Sequence, residues 1–167
     1  MEYRHVGFNH PKNEVGVFHD LIDKYEKYGT LYIGVDFDNT ILPYGADDLY
    51  DYDSDNEEGI EMNGFCDVVE LLRWCKLLGL KLCLWTLPDS IDNLCWKMAW
   101  CNEKGIHMDY INESPLLREN SKKYGKPHFN LLLDDVAGLE SSFSILYNVC
   151  EYIENKKKGN EEGMVMG

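Results

Sequence analysis

Asp36-Phe37-Asp38-Asn39-Thr40 sets two carboxylates two positions apart. Next to an extended segment, that spacing turns both side chains to the same side. Two carboxylates this close cannot both ionise cheaply unless a cation lies between them. Magnesium suits that place, because it takes oxygen ligands and keeps waters for a substrate. A carboxylate can attack phosphorus and form an aspartyl-phosphate. A second can protonate the leaving oxygen and then activate water. The competing reading is a pair of solvated turn acids. Thr86, after Trp85, offers a hydroxyl to a phosphate oxygen, although threonine at a strand end is common. Lys126, eight residues before Asp134, can neutralise charge on a transferring phosphoryl group, and Lys122 or Lys123 could stand in for it. Asp134 and Asp135 close the apolar run Leu-Leu-Leu, where two acids are costly unless they hold a metal or a hydrogen-bond network.

The elements that must position these groups are legible as alternating strands and helices. Apolar runs at residues 31–36, 80–85, 106–111 and 129–134 predict strands. Helical spacing marks residues 16–28, through Phe18, Leu21, Ile22 and Tyr25. It recurs at 65–78, at 89–104 (Ile91, Leu94, Cys95, Met98, Trp100) and at 138–155, with glycines closing the first three. Residues 156–167 read as a frayed tail. The expected fold is α/β: a Rossmann-like, mostly parallel sheet with helices on both faces, in one domain over residues 1–155. In such a sheet ligands bind beyond the carboxyl ends of the strands. Asp36, Thr86 and Asp134 all fall there.

The 167 residues, 44% hydrophobic, suffice for one core. The net charge of -14 disfavours nucleic acid and anionic membrane, so a phosphate site must be a local pocket of amides, lysine and metal. Six cysteines show no C-x-x-C spacing and read as reduced core residues of a cytoplasmic protein. No apolar run approaches a membrane span.

The ordered set D-x-D-x-T, strand-end Thr86, Lys126 and Asp134-Asp135 resembles the haloacid dehalogenase superfamily of phosphohydrolases. The matching parts span residues 31–140. Leu-Trp-Thr, Trp-Cys-Asn-Glu-Lys-Gly-Ile, Asp-Tyr-Ile-Asn-Glu-Ser-Pro and Lys-Pro-His-Phe-Asn-Leu-Leu-Leu-Asp-Asp look like small bacterial and phage members of it. The resemblance implies Asp36 as nucleophile, Asp38 as acid/base, Thr86 as phosphate holder and Lys126 as stabiliser of phosphoryl charge. It implies Mg2+ on the Asp36 carboxylate, the Asp38 main-chain oxygen and the Asp134-Asp135 pair, with Asp135 favoured as the direct ligand. Asn39 stands where many members have glycine, a small departure because asparagine tolerates left-handed backbone. Val136 stands where close-looking relatives often have arginine.

Between Thr40 and the helix at 65–78 there is room for a short flap (43–63) and no full cap domain. The flap carries Asp47, Asp48, Asp51, Asp53, Asp55, Glu57, Glu58 and Glu61, and no Lys or Arg lies between Lys27 and Arg73. A calcium loop from Asp51 fails, because Asn56 and Met62 replace the glycine and glutamate it needs. Tyr44, Tyr50 and Tyr52 could stack on a base or sugar, and Trp96 and Trp100 read as helix packing. The leading expectation is hydrolysis of a small phosphomonoester, a nucleotide or sugar phosphate. The alternatives are a polynucleotide end phosphatase, which the charge disfavours, and a fold that captures a phosphorylated ligand without turnover. A signalling receiver domain has its phospho-acceptor on a middle strand and does not fit. The N-terminal 30 residues, with their helix, cover the sheet or mediate self-association.

Overall fold

The computed structural model describes residues 10–49, 57–116 and 128–165. The chain runs through α1 (Glu14–Tyr28), β1 (Tyr32–Val35), α2 (Glu57–Leu77), β2 (Lys81–Leu84), α3 (Ile91–Glu103), β3 (Tyr110–Ile111), β4 (Leu131–Leu133) and α4 (Leu139–Val165). All strand pairs are parallel, in the order β3-β2-β1-β4. Ile33 sits between Leu82 and Leu131, so β1 is paired on both sides.

Local chemistry explains the element ends. The Asn13 side chain accepts the Gly16 N–H and caps α1. Gly29 ends it at φ 76°, a left-handed turn that costs glycine little. Ser90 caps α3 by accepting the Asn93 N–H. Asp109 ties β2 to its neighbour: one carboxylate oxygen accepts the Leu82 N–H and the Lys76 ammonium.

Alternation along the strands sends Ile33, Val35, Leu82, Leu84 and Leu133 to one face, all fully buried. One continuous core joins them to Leu21 and Ile22 of α1, Leu72 and Cys75 of α2, Trp100 and Cys101 of α3, and Leu146 and Val149 of α4. The expectation of helices on both faces turns on the link from β3 to β4, of which residues 117–127 lie outside the described residues. Among the described residues, all four helices lie over one face. The cause is topological. Right-handed crossovers from β1 to β2 and from β2 to β3 run the same way and put α2 and α3 on one side. After β4 the chain does not cross to another strand among the described residues; α4 folds back beside α2 and α1. The far face carries Tyr32, Gly34, Cys83 and Trp85. Phe129 lies against Gly34 and meets Trp85 edge to face, with centroids 5.8 Å apart.

Two boundaries differ from expectation. Helix α2 begins at Glu57 and takes in the end of the expected flap. Helix α4 continues to Val165 through the segment expected to fray, with an exposed Lys158–Glu154 pair one turn apart. Residues 50–56 of the flap lie outside the described residues. No helix among those described is long and apolar enough to cross a membrane.

Candidate active site

β1 runs outward to β2 on one side and meets β4 on the other. The crevice between the ends of β1 and β4 is thus the point where strand order reverses. Asp36 leaves β1 there, and Asp134 and Asp135 leave β4. One carboxylate oxygen from each lies within 4.8 Å of the others. The Asp36 N–H donates to Leu133 O at 2.9 Å, which sets the two strand ends in register.

The turn after Asp36 is tightly wound. The N–H groups of Ile41 and Leu42 both donate to Phe37 O, and Asn39 adopts φ 61°. Asn39 Oδ1 accepts the Tyr44 N–H at 2.9 Å. The turn carries Thr40 inward to 0% exposure. Its hydroxyl accepts the Asp135 N–H at 3.0 Å and lies 3.4 Å from carboxylate oxygens of both Asp36 and Asp135. Thr40 is therefore the bridge between the two acidic strand ends, a role its place in the motif did not reveal.

Burial pushes the Asp36 carboxyl up from its ordinary 3.8 to about 6. Repulsion from Asp134 adds to this, the Phe37 N–H opposes it, and Asp135 and Asp38 add less. Three carboxylate oxygens this close could together hold a metal ion. Asp134 and Asp135 both reach Asp36, so both remain ligand candidates. Asp134 also accepts the Val136 N–H at 2.9 Å.

Asp38 faces a different partner. Its carboxylate accepts a hydrogen bond from Lys97 Nζ at 2.8 Å, and the same ammonium donates to Thr86 Oγ1 at 3.0 Å. Lys97 is 2% exposed and Thr86 7%. Lys97 also stands 5.3 Å from the Phe37 ring centroid. The Thr86 N–H donates to Asn112 Oδ1, which fixes the end of β2 against β3. The site thus has an acidic half, Asp36 with Asp134 and Asp135, and a half built around a buried ammonium.

Lys97 was missed in the sequence. The expected α3 stripe ran through Ile91 and Cys95, which are exposed; the buried positions are Lys97, Trp100 and Cys101. The signal was present as the i, i+3, i+4 spacing of those three. Lys97 stands in that phase. Lys126, with Lys122 and Lys123, lies outside the described residues. Asp36, Asp38, Thr86, Asp134 and Asp135 are all at the carboxyl edge of the sheet. Val136 is exposed beside them.

A cavity of about 410 Å³ adjoins Asp38 and Lys97. A larger cavity, about 860 Å³, lies by Thr30, Tyr32 and Asn130 at the opposite end of the strands and touches none of the site residues. The six cysteines form no disulfide; Cys75, Cys83, Cys101 and Cys150 are buried, whereas Cys95 is exposed and Cys66 half-buried. No family model, no curated protein and no solved structure matches this chain.

Proposed function

We propose that the chain is a magnesium-dependent phosphomonoester hydrolase of the haloacid dehalogenase type, working through an aspartyl-phosphate on Asp36. The observation that carries this reading is the meeting of Asp36, Asp134 and Asp135 at the strand-order reversal, with Asp38, Thr86 and Lys97 beside them.

In this reading an Asp36 oxygen attacks phosphorus and the bond from phosphorus to the ester oxygen breaks. Asp38 gives a proton to the departing oxygen, then takes one from the water that opens the acyl phosphate. The Thr86 hydroxyl donates to a phosphoryl oxygen, and Lys97 holds Thr86 and Asp38 in place. Lys126 keeps its proposed role against phosphoryl charge. A magnesium ion held by Asp36, the Asp38 main-chain oxygen and the Asp134-Asp135 pair would neutralise charge on both nucleophile and phosphate.

A second reading rests on one contact. Asp38 is engaged by Lys97 at 2.8 Å, and a carboxylate that stayed so engaged could not serve the leaving oxygen. Phosphate capture without turnover would follow. A panel of phosphorylated metabolites, assayed for phosphate release with magnesium, decides between them. Release that needs magnesium and disappears in Asp36→Asn supports the hydrolase. Tight binding across the panel with no release supports capture, and neither binding nor release sinks both.

A further inference from the structure

The cavity beside Asp38 and Lys97 has two walls of different origin. One is the start of the flap, Pro43 to Asp47; the other is the opening of α3, with Asp89, Asn93 and Trp96. Buried Phe37 and Lys97 form its inner side. Trp96 is 39% exposed and meets Phe37 in an edge-to-face pair at 5.9 Å, so the indole is held against Phe37 while part of it stays open. The flap wall is anchored twice, by Tyr44 N–H to Asn39 and by a 2.8 Å Asp48–Lys104 ion pair to the end of α3. Asp47 and Asp89 place a carboxylate on each of the two walls.

Resting on the hydrolase reading, we propose that this groove receives the leaving group and selects monophosphates of uncharged, hydroxyl-bearing rings. Three features point to that chemistry. The groove opens on Asp38, so a phosphate seated between Asp36 and Thr86 sends its ester substituent into it. Trp96 and Tyr44 offer flat apolar surface to a sugar or base. Asp47, Asp89 and the Asn93 amide offer hydrogen bonds to ring hydroxyls. Among the described residues, the charges lining the groove are Asp38, Asp47 and Asp89 against Lys97, a net excess of two negatives. A second phosphate or a carboxylate on the leaving group would enter an uncompensated acidic field.

The test follows turnover, and binding by tryptophan fluorescence, for glucose 6-phosphate and AMP against glucose 1,6-bisphosphate and ADP. The sugar and nucleotide arms distinguish the two kinds of ring. Proteins are the wild type, Trp96→Ala and the double variant Asp47→Lys/Asp89→Lys, with thermal melts as the folding check. For wild type, kcat/KM should favour at least one monophosphate over its more anionic partner by about tenfold. Trp96→Ala should raise KM for that monophosphate about tenfold with kcat nearly unchanged, as expected for lost ground-state binding. The double charge reversal should improve the bisphosphate or ADP by about tenfold. Unaltered KM and unaltered charge preference in folded variants would overturn the groove while leaving the hydrolase standing. Ring-monophosphate binding that depends on Trp96 without any turnover would keep the groove and overturn the hydrolase. No binding and no turnover would overturn both.

Discussion

Burial and the neighbouring Asp134 carboxylate hold Asp36 at about 6, so folding and charging of this side chain oppose each other. Its folded value lies above the unfolded 3.8, so its contribution to stability is complete below the unfolded value and is lost as pH rises through about 6. The displacement corresponds to at most roughly 3 kcal/mol, and solvent at this half-buried group screens it further. Without metal, Asp36→Asn should therefore melt above wild type at about pH 7.5, and the two should converge at about pH 4. Melting curves across that range check it, and a constant offset at every pH would contradict it. Asp36 was legible because an acid ending an apolar strand has few structural reasons to be there. Lys97 was not, because burying an ammonium is rare unless its partners, Asp38 and Thr86, are known in advance. Those partners lie 59 and 11 residues away, and only the fold brings them together.

At the scale of elements, β1 shows what a strand pattern conceals. Its residues read as a buried run, and Ile33 and Val35 are buried by helices as expected. Gly34 points to the other face, where a Cβ would overlap the Phe129 ring. Gly34→Ala should thus push Phe129 off the sheet and cost about 1–3 kcal/mol, as overpacking commonly does. Urea titration measures this, and Phe129→Leu combined with Gly34→Ala should recover part of the loss. The far ends of the elements were less legible. Residues 156–167 read as a frayed tail, yet Gly159 and Gly163 lie inside α4, where nothing crowds them. Glycine lowers helix stability by only about 1 kcal/mol per residue, too little to stop a helix already nucleated on a packed face. Alternating strands and helices imply crossovers, but a last helix with no strand after it is free to fold back on the side already occupied.

Across the whole molecule the net charge of -14 sits on a chain whose described ion pairs are mostly at the surface. Self-repulsion of that size works against compactness and is screened by salt over about 10 Å at 0.1 M. Raising sodium chloride from 0.02 to about 0.5 M should raise the melting temperature by several degrees. Scanning calorimetry tests it, and a falling melting temperature would show that the surface pairs outweigh the repulsion.

The central position of β1 has a consequence for how the chain is made. On the ribosome, β1, α2 and β2 emerge before the rest of the sheet and β1 can pair with β2, because Ile33 meets Leu82 within one crossover. The other edge of β1 waits for Leu131, almost a hundred residues behind Ile33, which takes about 5–20 s to synthesise. During that interval the edge presents open backbone groups to any neighbouring nascent chain. Asp36 is then still far from Asp134 and Asp135. The two halves of the acidic cluster join only when β4 docks, so the strand addition that ends the exposure also completes the site.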